Sequence, residues 1–193
     1  MTREASVTRN TQETQIALRL NLAAGASELA VDHGFLAHLL DQLARHGGVA
    51  LQLNASGDVD AVDVHHLAED VGIALGMAYH EALGDRRGIR RYAHAYVPMD
   101  ETLARCVVDV SGRPYLHFDP AGFEGDAHGF NVHHLREFLR GFCNHARMTV
   151  HVEVLSGVET HHVAEAVMKA FARALRQAVE VVEDGVPSTK GIL

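Results

Sequence analysis

Two stretches of the chain repeat the same succession of hydrophobic and polar positions. Residues 35–45 and 134–144 carry apolar side chains at helical spacing, and residues 49–53 and 148–155 alternate as strands do. A long amphipathic helix follows in both stretches, and each of these helices begins with a pair of histidines. Each stretch is therefore predicted to end with helix, strand, helix.

Shorter alternating segments precede both stretches and predict further strands. They cover residues 14–22 and 27–31 in the first part, and 91–97, 104–110 and 115–119 in the second. Two similar ββαβα halves packed together predict an α+β fold that arose by internal duplication. The polar, glycine-flanked segment GDRRG at 84–88 has the composition of a connection, so we expect halves at residues 1–87 and 88–193.

Composition and charge narrow the class of protein. Hydrophobic residues make up 47% of the 193 residues and charged residues 22%, as in ordinary globular proteins. The formal charge of −8 provides no basic field for nucleic acid or anionic lipid. The polar start of the chain and the lack of a long apolar run argue against secretion and membrane spanning. Cys106 and Cys143 have no metal-binding or redox spacing, which favours two reduced thiols in a cytoplasmic protein.

Histidine is unusually frequent, with 15 residues, and two HHxxE motifs stand at matching places in the repeat. On a helix the first His and the Glu share a face, whereas adjacent His side chains diverge by about 100°. One helix cannot easily direct both histidines at one ion, so we expect two metal sites, each taking one His from each helix. Imidazole with carboxylate, and no thiolate, favours Mn(II), with iron or zinc left open. The motif residues are His65, His66 and Glu69, and His161, His162 and Glu165.

Two further ligand candidates lie in the helix that precedes each motif. His38 and Glu137 occupy matching positions there. A solvated surface role fits Glu137 about as well as ligation does, and the symmetry of position favours ligation. Which ion each motif glutamate serves stays open.

Several segments together resemble the imidazoleglycerol-phosphate dehydratase family. They are TRNTQET, FLAHLL, HHLAEDVGIALG, EALGDRRGIRRY, VPMDE, GRPY, HHVAEA and PSTKGIL, which occur in the family's order and span nearly the whole chain. The resemblance implies two four-stranded sheets packed with helices, similar to domain 2 of ribosomal protein S5. It also implies a homo-oligomeric shell of 24 copies, two Mn(II) ions per active site at subunit contacts, and dehydration of imidazoleglycerol phosphate to imidazoleacetol phosphate in histidine biosynthesis.

The resemblance also implies roles for individual residues. The metal ligands would be His38, His65, His66, Glu69, Glu137, His161, His162 and Glu165. The substrate would contact Glu13, His38, His46, His65, Glu69, Arg91, Arg113, His161, Glu165, Lys169, Ser188, Thr189 and Lys190. The residues that would give charge-assisted bonds to the phosphate are Arg91, Arg113, Ser188 and Lys190.

Several positions depart from the family's usual pattern, and three of them are in or near the candidate metal ligands. Ala37 stands where the family usually has Asp, Glu159 where Asn is common, and Glu137 where many members have His. A carboxylate at position 37 would orient the neighbouring ligand His, so these departures bear on metal affinity.

The implied reaction suggests which groups move protons. Two ions that hold the imidazole and the hydroxyl side of the substrate would let the hydroxyl leave through a conjugated diazafulvene. For the general acid and base we favour Glu13 and Glu165, with Glu69 as the competing candidate. A di-metal phosphate hydrolase and an inactive metal-binding shell protein are the alternative functions.

Overall fold

The computed structural model describes residues 3–193, which form two similar halves made of strands and helices. The first half contains β1 (Glu4–Asn10), β2 (Thr14–Asn21), β3 (Glu28–Val31), α1 (Gly34–Gly47), β4 (Ala50–Gly57) and α2 (His65–Leu83). The second contains β5 (Tyr92–Met99), β6 (Thr102–Asp109), β7 (Tyr115–Asp119), β8 (Asp126–Ala127), β9 (Phe130–Asn131), α3 (Val132–Ala146), β10 (Thr149–Ser156) and α4 (Thr160–Ala178).

The two four-stranded sheets have the same topology. Their strand orders are β1-β2-β4-β3 and β5-β6-β10-β7, and a small hairpin of β8 and β9 leads into α3. In each sheet the last pair, β3 with β4 or β7 with β10, is parallel and the other pairs are antiparallel. The α+β class and the internal duplication predicted from the sequence are thereby confirmed.

Strand β1 and the β8–β9 hairpin are absent from the elements that the sequence pattern predicted. The first half is therefore βββαβα, with one strand more than the predicted ββαβα, and the second half has the same order with the β8–β9 hairpin inserted before α3. The apolar signal of β1 is weak because only Ala5 and Val7 point into the core and their neighbours are polar. As an edge strand it pairs with β2 alone, so little of its length is buried.

The helices lie against the inner faces of the sheets and join the two halves in one hydrophobic core. Helix α2 packs on β1 and β2, and α4 packs on β5 and β6. Across the halves, α1 packs against α4 and α2 packs against α3. The division at 87/88 therefore stays a prediction about the repeated sequence units, since both units contribute to the same core.

Helices α2 and α3 approach each other closely through glycines. A Cβ atom at Gly72 would lie 2.2 Å from the carbonyl oxygen of Phe138, and one at Gly76 would lie 2.5 Å from that of Phe142. Glycine is needed at both positions because any side chain would collide with the backbone of the neighbouring helix. The contact brings the first turns of α2 beside the first turns of α3.

The predicted connection at 84–88 is paired with the segment that follows α4. Gly88 donates its N–H to the carbonyl of Gly185 over 2.6 Å and accepts from the N–H of Val182 over 2.8 Å. Ile89 and Val181 form an isolated antiparallel bridge. The C-terminal segment is thus held beside the start of the second half. In the part of the chain that the structure describes, none of the helices combines the length and apolarity needed to cross a membrane.

Candidate metal centres

The first candidate centre lies where α1 meets α4 and contains His38, His161 and Glu165, whose donor atoms lie within 4.8 Å of one another. The Nε2 atoms of His38 and His161 lie 2.7 and 3.1 Å from Oε2 of Glu165. Lys169, one turn further along α4, forms an ion pair with Oε1 of the same carboxylate. Two imidazoles and a carboxylate therefore share one small volume.

The carboxylate of Glu165 is held in its ionised form. Burial favours the neutral acid, but hydrogen bonds from Lys169 and His38 outweigh it and hold the pKa of Glu165 at about 2. Such a group is a good ligand for a cation and a weak proton acceptor. An ionised carboxylate between two imidazoles is chemically suited to hold a cation.

The second candidate centre lies where α2 meets α3 and contains His65, Glu69 and Glu137, again with donor atoms within 4.8 Å. His65 Nε2 is 3.9 Å from Oε2 of Glu69. The guanidinium of Arg140 donates to Oε1 of Glu69 over 3.2 Å and also forms an ion pair with Glu137. The sequence reasoning missed Arg140, which forms ion pairs with the carboxylates of this centre as Lys169 does with Glu165 in the first.

Glu137 provides a test of whether a cation fits. Its side chain is 4% exposed. Among residues 3–193, its Oε2 is the buried side-chain oxygen without a hydrogen bond of regular geometry, although the Arg140 guanidinium touches it. A buried carboxylate oxygen without a full set of partners is costly, and a coordinated cation would complete it. The histidine and carboxylate donors present here suit Mn(II), Fe(II) or Zn(II).

The second histidine of each motif points away from the centre on its own helix. His66 and His162 belong to neither three-residue group. His66 Nδ1 lies 3.1 Å from Asp58, and His162 Nδ1 lies 2.8 Å from Oε2 of Glu101. We expected each helix to give one His to each of two ions. Within one chain α2 and α4 instead contribute to separate centres, because each of them packs against a different neighbouring helix.

The carboxylates that face these two imidazoles alter their pKa values. The hydrogen bond to Asp58 raises the pKa of His66, and the one to Glu101 raises that of His162. Hydrogen bonds from His162 and from the backbone N–H of Glu159 hold the pKa of Glu101 at about 2. Glu159 also accepts the N–H of His162 over 2.9 Å and so caps α4.

Both centres lie at the N-terminal end of the helices. The packed helices of each pair run in the same direction, since His38 meets the first turn of α4 while Gly47, at the end of α1, meets Ala172. A row of aromatic rings connects the two centres. It runs from His65 to His134 (6.3 Å between centroids), Phe130 (5.5 Å), Phe35 (5.8 Å) and His161 (4.9 Å).

Three predicted substrate residues lie near these centres. The Oε1 atom of Glu13, in the turn between β1 and β2, is 3.9 Å from Nε2 of His66. His46 lies further along α1 than His38, and its pKa is lowered by burial and by the charge of Lys169. Lys169 and His46 therefore lie near each other where α1 packs against α4.

The predicted phosphate residues form a separate basic group. Arg91 Nε donates to Oδ1 of Asp109 over 2.9 Å, and its Nη1 donates to the carbonyl of Pro187 over 2.8 Å. Arg113 Nη2 is 3.9 Å from the same aspartate. Ser188, Thr189 and Lys190 directly follow Pro187, and Ser188 Oγ accepts the N–H of Lys190 over 3.2 Å.

The basic group and the metal centres lie at opposite ends of α4. The helix begins at Thr160, beside the first centre, and the carbonyl of its last residue, Ala178, accepts the N–H of Arg91 over 2.9 Å. At the usual rise per residue, His161 and Ala178 are roughly 25 Å apart. One chain alone therefore does not bring the predicted metal ligands and phosphate ligands together.

The geometry also adds residues that the sequence reasoning did not select. Glu101 and Asp58 face the second histidines, and Asp100 Oδ2 lies 3.8 Å from Nε2 of His162. The repeat offered a signal for Glu101, because Glu13-Thr14 opens β2 just as Glu101-Thr102 opens β6. Asp58 had no comparable signal, since its place depends on the loop after β4.

Fold and geometry together define a class of protein: a duplicated α+β chain that presents two helix-borne groups of histidine and carboxylate. The profile of the imidazoleglycerol-phosphate dehydratase family matches residues 31–175. The chain is 57% identical to the Deinococcus radiodurans imidazoleglycerol-phosphate dehydratase, with both sequences covered in full. It is also 57% identical to the enzyme of the same name from Thermus thermophilus, over 99% of this chain and 100% of the relative.

Solved structures agree with these relatives. The crystal structure of imidazoleglycerol-phosphate dehydratase from Staphylococcus aureus superposes with a TM-score of 0.84 at 36% identity, over 93% of this chain and 99% of that one. The structure of IGPD from Pyrococcus furiosus gives 0.85 at 35% identity, over 97% and 100%. The chain belongs to the imidazoleglycerol-phosphate dehydratase family and is an enzyme of that family. It is accordingly a lyase of histidine biosynthesis.

Proposed function

We propose that the enzyme converts imidazoleglycerol phosphate to imidazoleacetol phosphate with two divalent cations, preferably Mn(II), in each active site. The observation that carries the metal requirement is the pair of histidine–carboxylate centres, of which one contains the incompletely bonded Oε2 of Glu137. When bound, the ions would supply Lewis-acid stabilisation of negative charge on the substrate.

The chain's own residues would hold the ions in two sets. His38, His161 and Glu165 would form one part of a site, and His65, Glu69 and Glu137 another. Each set offers three protein donors, fewer than the six that an octahedral ion such as Mn(II) takes. We propose that His66 and His162 supply further donors, because each has an Nε2 atom outside its own helix's centre.

The active site would combine residues of more than one copy of the chain. The separation of the basic group from the metal centres along α4 supports this, since a small substrate cannot bridge roughly 25 Å. A homo-oligomer would bring the Arg91 end of one copy to the metal end of another. The shell of 24 copies that the family resemblance implies stays a prediction.

Among the predicted acid–base residues, Glu13 fits the task best. It belongs to neither metal-binding group and lies 3.9 Å from Nε2 of His66. Glu165 and Glu69 each belong to a centre, where a bound cation would weaken them as bases. We propose that Glu13 exchanges a proton with the substrate, while Glu165 and Glu69 act as ligands.

The basic group would bind the phosphate end of the substrate. Arg91 and Arg113 flank Asp109, and the segment with Ser188, Thr189 and Lys190 lies against Arg91. Guanidinium, ammonium and hydroxyl groups can together donate several charge-assisted hydrogen bonds to a phosphate dianion. Lys169, where α1 packs against α4, would add a further cationic contact, and His46 beside it would add a hydrogen bond from its imidazole.

The test is to measure bound metal, mass in solution and product for the wild type and for His161→Ala. We expect the wild type to retain two ions per chain and to form a keto product that keeps its phosphate, and the variant to lose metal and turnover. His151→Ala, on the exposed side of β10, is the matched control and should behave as the wild type. Release of inorganic phosphate would instead support a hydrolase, and full metal content without turnover would support an inactive metal-binding protein.

We propose a cytoplasmic location, with a small phosphorylated molecule as substrate and no nucleic-acid or membrane partner. The two cysteines, both buried and unpaired, are consistent with a reducing compartment. The net charge of −8 gives no support to binding of polyanions outside a local basic group.

A further inference from the structure

The second histidines of the two motifs have similar surroundings in both halves of the molecule. His66 and His162 are each partly exposed, with side-chain exposures of 30% and 28%. In both cases Nδ1 faces a carboxylate at hydrogen-bond distance, and the nearest acidic atoms to Nε2 lie at 3.8 to 3.9 Å. Each ring is thus hydrogen-bonded to a carboxylate at Nδ1, whereas no carboxylate of the described residues lies at hydrogen-bond distance from its Nε2.

The two carboxylates come from places that the internal duplication does not relate. Asp58 follows β4, and its Oδ1 and Oδ2 lie 3.2 and 3.1 Å from Nδ1 of His66. Glu101 belongs to the turn between β5 and β6, and its Oε2 lies 2.8 Å from Nδ1 of His162. The same arrangement therefore arises from two unrelated positions. This favours a functional requirement of the two imidazole rings over simple inheritance from the duplicated sequence.

We propose that Asp58 and Glu101 are positioning residues that keep the proton of His66 and His162 on Nδ1, so that each Nε2 faces outward as a metal donor. A carboxylate can only accept, so the imidazole nitrogen beside it must carry the proton. In the neutral ring the other nitrogen then keeps the lone pair that binds a cation. This inference rests on the proposed metal-dependent function.

The side chain of Glu101 is itself fixed by hydrogen bonds, so it can determine which nitrogen of His162 carries the proton. Its Oε1 accepts from the N–H groups of Val158 and Glu159, over 3.3 and 3.1 Å, and from Oγ1 of Thr102 over 3.0 Å. Its Oε2 is therefore left for His162. The turn between β5 and β6 and the segment before α4 are tied together by this one side chain.

These contacts make Glu101→Gln an unusually informative substitution. The N–H groups of Val158 and Glu159 need an acceptor, so the amide oxygen of Gln should take the place of Oε1. The amide NH₂ then takes the place of Oε2 and donates to Nδ1 of His162. The proton of the ring should move to Nε2, while the bonds that hold the loop are kept.

The first measurement is the tautomer of His162 in the metal-free protein, by ¹⁵N NMR with labelled histidine. The signal of His162 is assigned by its loss in His162→Gln. We expect the proton on Nδ1 in the wild type and on Nε2 in Glu101→Gln, with unchanged thermal unfolding. A wild-type ring protonated on Nε2 alone, or a tautomer that does not respond to the substitution, would overturn the inference.

The second measurement is Mn(II) affinity, followed by the electron paramagnetic resonance signal of the free ion. Loss of such a supporting partner weakens metal binding by about 10- to 100-fold. We expect that loss for the sites that use His162 in Glu101→Gln, and for those that use His66 in Asp58→Asn, with the remaining sites unaffected. Unchanged affinity in both variants would overturn the inference.

Glu159→Gln is the matched control for charge. Glu159 Oε2 lies 3.8 Å from Nε2 of the same ring but makes no bond to Nδ1, and a Gln side chain can still cap α4. We expect its tautomer to be that of the wild type and its affinity to change less than in Glu101→Gln. An equal loss in the control would assign the effect to charge alone and overturn the inference. A wild-type protein that binds no divalent cation would refute the proposed function itself, while the tautomer measurement still decides what Glu101 does to the ring.

Discussion

Glu137 has the most buried carboxylate of the two centres. Its hydrogen bonding is incomplete within the chain, and a bound cation would complete it. The Arg140 guanidinium approaches it from the exposed side and is shared with Glu69. A buried carboxylate that lacks a full set of hydrogen bonds lowers stability unless a partner completes it. In the sequence this residue was as consistent with a surface position as with a ligand, and its burial was decided by the packing of α3 on α2.

We therefore predict that Glu137→Gln has opposite effects with and without metal. In the metal-free protein the free energy of unfolding should stay the same or rise, because an incompletely paired charge is removed. With excess Mn(II) the wild type should gain more stability than the variant, by about 1.4 kcal/mol for each tenfold difference in affinity. Thermal or urea unfolding with and without Mn(II) measures both effects.

The opposite result has a clear meaning. If the metal-free variant loses stability, the ion pair with Arg140 is itself stabilising and no cation is needed to explain Glu137. Glu153→Gln, on the exposed side of β10 and paired with Arg105, is a carboxylate control away from either centre and should show no dependence on Mn(II).

At the scale of elements, the α2–α3 contact determines the geometry of the second centre. Gly72 and Gly76 lie on the face of α2 that meets α3, and Gly141 faces the carbonyl of Glu69 in return. Their absence of side chains lets the two backbones approach closely. The distance between Glu69 and Glu137 therefore depends on residues that bind nothing themselves.

We predict that Gly72→Ala destabilises the protein by about 1 to 3 kcal/mol, the usual cost of forcing an extra group into a packed core. The added Cβ would fall 2.2 Å from a backbone oxygen, which only a shift of the helix can relieve. Metal binding by His65, Glu69 and Glu137 should weaken more than binding by the centre between α1 and α4. Urea unfolding and Mn(II) titration provide the measurements.

Gly34→Ala is the control for this substitution. Gly34 begins α1, has a negative φ, and a Cβ there would meet no atom within 4 Å. Its replacement should leave stability unchanged or raise it by up to about 1 kcal/mol, since alanine favours helix. Equal losses in both variants would show that the close approach of α2 and α3 is not the cause.

The local pattern of apolar and polar residues was sufficient to predict most of the helices and strands, but it missed a few of the strands. The helices and the central strands carry strong apolar periodicity because one face of each enters the core. Strand β1 was missed because only Ala5 and Val7 mark its buried face. The β8–β9 hairpin was missed because strands of two residues have no periodicity to detect.

At the scale of the whole molecule, the distance between the basic group and the candidate metal centres has the largest consequence for the proposed active site. His161 stands at the start of α4 and Arg91 is bonded to its end. The complete site that we propose would therefore require residues from different copies of the chain. Symmetric homo-oligomers provide such shared sites by bringing unlike surfaces of neighbouring copies together.

We predict that two inactive variants restore activity to each other in mixed oligomers. His161→Ala removes a proposed metal ligand and Arg91→Ala removes a proposed phosphate ligand, so each alone should have little activity. When the two are unfolded together and refolded, some sites should receive intact metal ligands from one chain and an intact arginine from another. The activity of the mixture should then clearly exceed the sum of the separately refolded variants.

The control is a mixture of His161→Ala with His38→Ala, because both substitutions remove a proposed ligand of the same centre. These chains should restore less activity than the mixture of His161→Ala with Arg91→Ala. If no mixture exceeds the sum of its parts although mixed oligomers are present, each site must be built from one chain, and the proposed shared site is wrong.

The sequence by itself determined the duplication, the α+β class, the family and the identity of the candidate ligands. These follow from local periodicity and from motifs whose residues are neighbours in the chain or on one helix. Tertiary structure decided which helices pair, and therefore that His38 joins His161 and Glu165 while Glu137 joins His65 and Glu69. It also decided which nitrogen of His66 and of His162 is hydrogen-bonded to a carboxylate, and how far the predicted phosphate-binding residues lie from the candidate metal centres. These properties depend on contacts between residues distant in the chain, which no local pattern specifies.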